Sequence, residues 1–339
     1  MKLLICTQVI DKKHPILGFF HRWVEEFSKH YDEVHVICLQ KGEFDLPKNV
    51  VVHSLGKEGK SASAFVYTWR LMKHTWQLRG RYDRVFVHMN PEYVLAGAPV
   101  WLLFHKAIYL WYTHGFVGPA LKVASHLVKN IFTAAAEGMN LVSKKVVVTG
   151  HGIDVPDLNQ GNQVRDLDLI TVGRISRSKN LEDLITLLEI VRHTRTTATL
   201  TILGSAVNED GQNYQMEMKQ LVKEKGLDGA VDWVGGVPHT DVSQWLCRAK
   251  VFVHTAKNGS LDKVLLEALA VGTPVVSSAI GARSLPLGPW LVNNTGELAN
   301  QTLSALESYP KSEMFHLKTY IGEHHSLPSL IESLALKMS

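Results

Sequence analysis

The sequence has 339 residues, 45% hydrophobic and 20% charged, which is enough chain for two domains and excludes a disordered polar segment or a small disulfide-stapled scaffold. Its 36 Lys+Arg against 32 Asp+Glu leave a formal net charge of +4, too slight a bias to mark a nucleic-acid binder. The total hides a division, because residues 1–155 hold 19 basic and 12 acidic side chains whereas residues 156–339 hold 17 and 20.

The chain opens on an apolar run, 3–7, that meets Gln8 and Asp11 too soon for a signal peptide and reads as a first strand. Ile16, Phe19, Phe20, Trp23, Val24 and Phe27 then recur at three- and four-residue steps, the stripe of a helix behind that strand. Further strands are predicted over 33–39, 50–54, 84–88, 108–112 and 145–149 from their β-branched and aromatic density. Residues 57–84 carry seven Lys and Arg against Glu58 and Asp83, with Phe65, Trp69, Met72 and Trp76 stepping along one helix face. That segment reads as a domain helix with a solvated basic side, or as a patch that meets an anionic membrane. Pro99, His105 and Lys106 interrupt the apolar stretch 93–112, which predicts a buried helix and a strand and no membrane span.

Periodicity stops at 152–156, and Pro, Asp, Asn, Gln and Gly dominate as far as Gln163, which predicts a domain joint. A second strand series follows at 167–172, 198–203, 230–234, 250–254 and 274–277, separated by helices such as 181–192 and 215–225, and 327–338 is helical. Strands alternating with helices make a parallel sheet covered on both faces, and two such series make two Rossmann-like domains. Cys6, Cys38 and Cys247 form no C-x-x-C pair and lie in apolar runs, which predicts buried thiols and a reducing, cytoplasmic setting.

Two segments carry chemistry. Residues 258–276 read as a polar loop after a strand, a helix, and a Gly-Thr-Pro turn into another strand. A loop that leaves the carboxyl end of a parallel strand and opens a helix offers free N–H groups and the positive end of the helix dipole, which suits a diphosphate. Glu267, about a turn and a half into that helix, is placed to accept the two hydroxyl hydrogen bonds of a ribose diol. Residues 172–181 leave a strand through Gly173 and set Arg174 and Lys179 before the next helix, where two cations neutralise the charge developing on a departing diphosphate. Either cation alone reads as a solvated or salt-bridged side chain; the pair together with Glu267 reads as an anion site. Asp166 and Asp168 have a metal-binding spacing but lead into a strand of apolar alternation, and read as its solvent-facing entry. The 17 histidines show no metal-ligand spacing, and no dinucleotide glycine fingerprint, P-loop or Gly-x-Ser-x-Gly elbow occurs.

Val172-Gly173-Arg174, Lys179-Asn180 and the run 266–276, Leu-Glu-Ala-Leu-Ala-Val-Gly-Thr-Pro-Val-Val, together resemble the retaining glycosyltransferases of family 4. The resemblance takes in 145–154, Leu203-Gly204 and 234–237, and so covers almost the whole chain. It implies an α/β GT-B fold, with two Rossmann-like domains at 1–155 and 156–312 whose sheets face a central cleft, and a helical segment 313–339 crossing back to the first. It further implies transfer of a sugar, with retention, from a nucleotide diphosphate-sugar donor to a glycan or lipid-linked acceptor, with no metal or other cofactor, in the cytoplasm or on the inner face of a membrane.

By the same resemblance Arg174 and Lys179 hold the donor diphosphate, Glu267 binds the ribose, and His114, ending a strand in Trp111-Tyr112-Thr113-His114-Gly115, contacts the donor sugar. Gly173, Gly204, Val237, Gly259, Ser260, Leu261, Asp262 and Lys263 complete the donor side, and Gly18 with Asn90 the acceptor side. Three positions depart from the pattern. Gly259 stands where a first Glu belongs, with Asp262, Ser260 or backbone N–H groups as its replacements. Gly204-Ser205-Ala206 lacks a second glycine, and the loop 8–18 has Gly18 where two glycines are common. A sugar-nucleotide epimerase and a non-catalytic nucleotide-sugar-binding protein fit the same crevice.

Overall fold

A computed structural model describes residues 1–14, 17–59, 62–154 and 164–339. Ile16 of the first helical stripe and most of the expected joint, 155–163, lie outside the described residues. The chain forms two compact units, Met1–Gly152 with Leu327–Ser339, and Ile153–Ser326.

The first unit is built on a seven-stranded parallel sheet: β1 (Lys2–Ile10), β2 (Glu33–Lys41), β3 (Val50–Ser54), β4 (Arg84–His88), β5 (Ala107–Trp111), β6 (Asn130–Thr133) and β7 (Val146–Val148), in the order β3-β2-β1-β4-β5-β6-β7. Side chains alternate across a strand, so each strand feeds two cores. Leu3 and Ile5 join Phe86, Tyr109 and Trp111 on one face, under α1 (Phe19–Ser28), while Leu4 and Cys6 join Val85, Val87 and Leu110 on the other. That second face lies beneath α2 (Ala64–Gln77), α3 (Pro91–Leu103) and α4 (Pro119–Leu127).

Two features differ from expectation. β1 runs on to Ile10 because Val9 and Ile10 are buried, so Gln8 is an outward-facing strand residue and the loop starts later. β6 was not expected: four residues carry no periodic signal, and the strand exists because β5 and β7 pair with it on either side.

The second unit carries β8 (Leu167–Val172), β9 (Leu200–Leu203), β10 (Val231–Gly235), β11 (Ala249–His254) and β12 (Val275–Ser277), all parallel, in the order β10-β9-β8-β11-β12. Its helices are α5 (Leu181–Thr194), α6 (Glu209–Glu224), α7 (His239–Arg248), α8 (Lys263–Ala270), α9 (Thr295–Glu307) and α10 (Lys311–His325). The terminal segment divides: α10 stays with this unit, and only α11 (Leu327–Met338) belongs to the first, where Leu330, Ile331 and Leu334 pack with Phe20 and Trp23. Cys6, Cys38 and Cys247 are buried free thiols, each raised above its ordinary pKa by burial. Among the described residues no helix is long and apolar enough to cross a membrane.

Candidate functional site

In the second sheet the chain steps from β8 out to β9 and β10 and then returns to lay β11 on the other side of β8. Loops leaving β8 and β11 therefore diverge from adjacent strand ends, the crevice in which open α/β sheets hold ligands. Gly173 follows β8 at φ +156, and a Cβ there would stand 3.2 Å from the Lys179 side chain. Gly204, after β9, is tighter: at φ +146, its Cβ would lie 1.9 Å from the Gly173 carbonyl oxygen. The strand ends are laced together, with the Gly173 N–H donating to Leu203 (2.9 Å), Gly204 to Gly235 (2.8 Å) and Ile175 to Ser205 (3.0 Å).

Beyond Gly173 the chain exposes Arg174, buries Ile175 and makes a short 3-10 turn, Arg177–Lys179. Asn180, buried and left-handed at φ +53, ends that turn and starts α5. Thr255, just past β11, shares its hydroxyl between the Lys179 and Asn180 carbonyl oxygens, 3.0 Å from each, and the Lys257 N–H donates to Ser178 at 2.9 Å. These bonds fasten the β8 loop to the β11 loop.

The fastening sets a charged cluster. The Lys179 ammonium pairs with the Asp262 carboxylate, whose same oxygen lies 2.8 Å from His254 Nε2, and Ser277 Oγ lies 3.5 Å from His254 Nδ1. Asp262 precedes α8 but makes no capping hydrogen bond, because its carboxylate is turned to Lys179 and His254. Burial alone would raise this carboxyl; the hydrogen bond and charge of His254, with those of Lys179, outweigh it and hold Asp262 well below the usual carboxylate range.

A depressed carboxyl contributes stability that is present above the unfolded-state value, about 3.9, and is lost as pH falls through the folded-state value. Both side chains are largely withdrawn from water, 18% and 17% exposed. Asp262→Asn is therefore expected to cost about 3 kcal/mol at neutral pH. That difference from the parent protein should narrow below about pH 4. Urea unfolding at neutral and acid pH measures it, and a gap that stays constant would show that the cluster contributes nothing through charge.

Gly173, Arg174, Lys179 and His254 line one small pocket, with Thr171, Ile175 and Ile202. Gly259 and Ser260 are half-buried in the β11 loop, and Leu261 is buried. Glu267, on α8, is buried with its Oε1 3.0 Å from Nε2 of His239, the first residue of α7. That hydrogen bond raises the His239 imidazole above its ordinary value against the opposing effect of burial. Val237 lies half-buried two residues earlier. Half-buried Lys263 opens α8, and desolvation pulls its ammonium down to about 7 against the opposing charges of Glu267 and Asp154. His254, Thr255 and His239 are the residues that sequence reasoning missed; only a histidine at the end of a buried strand hinted at the first.

The other expected site residues belong to the first unit. His114 is exposed in the loop after β5, three residues beyond the strand end at Trp111, with its ring edge-on to Tyr112. The preceding Thr113 donates its hydroxyl to the Met89 sulfur at 3.5 Å, and Met89 is a left-handed non-glycine at φ +66. Asn90 precedes α3 and accepts a hydrogen bond from Gln8 at 3.1 Å, across the reversal between β1 and β4. Gly18 opens α1, its N–H donating to the His14 carbonyl oxygen at 3.0 Å. Asp166 is held by Arg248 at 2.9 and 2.6 Å, and Asp168 by Lys250 at 2.7 Å, as strand-entry ion pairs. Among the described residues no group of three His, Cys, Asp or Glu is arranged to hold a metal ion.

Residues 159–302, which take in β8 to β12, match the family model described as glycosyl transferases group 1. Glycogen synthase of Mycobacterium tuberculosis is 30% identical over 152 residues, 44% of this chain and 34% of that protein. The amylovoran biosynthesis glycosyltransferase AmsK of Erwinia amylovora is 28% identical over 151 residues, 41% of this chain and 35% of that protein. The chain thus spans about a third of the length of these curated relatives. Solved structures match along the full length. Anabaena Alr3699/HepE in complex with UDP-glucose superposes with a TM-score of 0.73 at 17% identity, covering 99% of each chain. Sucrose-phosphate synthase from Thermosynechococcus elongatus gives 0.73 at 15% identity, covering 99% of this chain and 98% of that one. Residues 159–302 are thus similar to glycosyl transferases group 1, and the two Rossmann-like units of the chain share their fold with the GT-B structures.

Proposed function

We propose that the protein transfers a sugar from a nucleotide diphosphate-sugar to an acceptor hydroxyl, with retention at the anomeric carbon, in the assembly of a glycan, exopolysaccharide or glycolipid. The observation that carries this reading is the pair of cations, exposed Arg174 and half-buried Lys179, at the reversal of the second sheet, with Lys179 fixed by Asp262. As the bond from the anomeric carbon to the diphosphate breaks, charge builds on the departing phosphate, and cations already held in place stabilise it without reorganising. Glu267, steadied by His239, accepts the ribose hydroxyls, and His114 meets the donor sugar. In this reading the transfer uses no covalent nucleophile. The acceptor oxygen bonds to the anomeric carbon on the face the phosphate leaves, and its proton passes to that phosphate. The names of the relatives support the class, since they include a glycogen synthase, an amylovoran biosynthesis glycosyltransferase and a UDP-glucose complex.

A second reading, nucleotide-sugar binding without transfer, draws on Gly259, where the related pattern has a carboxylate. A panel of nucleoside diphosphate sugars separates the two, read by melting shift and by released nucleotide. At a hundredfold excess over its dissociation constant, the cognate donor is expected to stabilise the protein by about 2.7 kcal/mol and to be hydrolysed slowly. Glu267→Ala should abolish both effects. Stabilisation without release selects the binding reading, and no response to any donor removes both.

A further inference from the structure

The apolar stripe of α2 faces water. The helix buries only Leu71 and Thr75 against its unit, while Phe65, Trp69 and Trp76 are 79%, 54% and 46% exposed. Steps of four and seven residues align these rings along roughly 16 Å of helix. Leu103, 62% exposed, and Phe104 extend the patch from the end of α3, with the Trp76 and Phe104 rings 5.4 Å apart. Each exposed tryptophan carries a cation: Lys73 Nζ lies 5.4 Å from the Trp69 ring, and the Arg79 guanidinium 5.0 Å from Trp76. Residues 59–136 hold nine Lys and Arg against Asp83 and Glu92 alone, and α2 has no carboxylate at all.

We propose that this outer face of α2, with the end of α3, seats the protein on an anionic lipid bilayer. Aromatic rings with a polar edge settle at the boundary of headgroups and acyl chains, and cations beside them meet lipid phosphates. A second copy of the same face would bring Lys73 and Arg79 against their own kind with no acid to offset them. A nucleic-acid strand is met by a groove that tracks its backbone, whereas these rings stand on the outside of a helix. The proposal is independent of the chemistry assigned to the second unit.

The test is co-sedimentation of the full chain with phosphatidylcholine vesicles, with and without phosphatidylglycerol, at low salt. The protein is expected to pellet with the anionic vesicles and not the neutral ones, with a blue-shifted tryptophan emission that brominated lipid quenches. Trp69→Ser/Trp76→Ser and Lys73→Glu/Arg79→Glu, all surface changes that leave the melting temperature in place, should each weaken partitioning about tenfold or more. Failure to bind anionic vesicles overturns the proposal, as does binding that neither double variant weakens. So does a parent chain that dimerises through the tryptophans, or one that binds a single-stranded oligonucleotide more tightly than vesicles.

Discussion

Gly204→Ala is expected to destabilise the second unit by about 3 kcal/mol or more. Its Cβ would sit 1.9 Å from the Gly173 carbonyl oxygen, far inside contact, and its φ of +146 is one that side-chain-bearing residues avoid. Neither backbone has room to retreat, since the Gly204 N–H is held by Gly235 and the Gly173 N–H by Leu203, so relief means breaking the ladder where β8, β9 and β10 end. Gly229 is the control. It too has a positive φ, +77, but a Cβ there meets nothing within 4 Å, so Gly229→Ala carries backbone strain alone, about 1 kcal/mol. Urea unfolding of the two variants separates collision from strain. Equal losses would mean that the strand ends yield.

What the sequence reveals of this architecture follows from what periodicity encodes. Strands with dense apolar runs, such as those now seen as β4 and β5, were legible because burial on both faces leaves no polar alternation to confuse them. The four-residue β6 was not, because its reason to exist lies in its neighbours. The spacing of Phe65, Trp69 and Trp76 defined a stripe, but a 3.6-residue period is the same whether the stripe turns toward the sheet or away from it; Leu71 and Thr75 occupy the inner side instead.

In the second unit Gly173, Arg174 and Lys179 could be read as one segment and Asp262 and Glu267 as another. The contact between Lys179 and Asp262 spans 83 positions and depends on β8 lying beside β11, a pairing that only strand order supplies. His239 beside Glu267 is hidden for the same reason: α7 and α8 meet in space across a strand and a loop.

Lys179→Ala is expected to lower transfer by about a hundred- to a thousandfold. Because it leaves the Asp262 carboxylate without its cation, it should also cost stability of the same order as Asp262→Asn, so turnover is read well below the melting temperature of the variant. Most of the loss belongs in turnover, because the ammonium counts most when the phosphate carries its full charge in the transition state. A second effect bears on donor affinity. With the lysine gone, Asp262 keeps His254 but has lost a cation, and its carboxylate then opposes the incoming diphosphate. The double variant Lys179→Ala/Asp262→Asn should therefore bind the donor more tightly than Lys179→Ala alone and still turn over no faster, a non-additivity expected of residues in direct contact. Steady-state kinetics of the parent, both single variants and the double variant measure this. Near-normal turnover in Lys179→Ala would remove the site assignment. Strictly additive effects would keep Lys179 at the phosphate and restrict Asp262 to the stability of the loop.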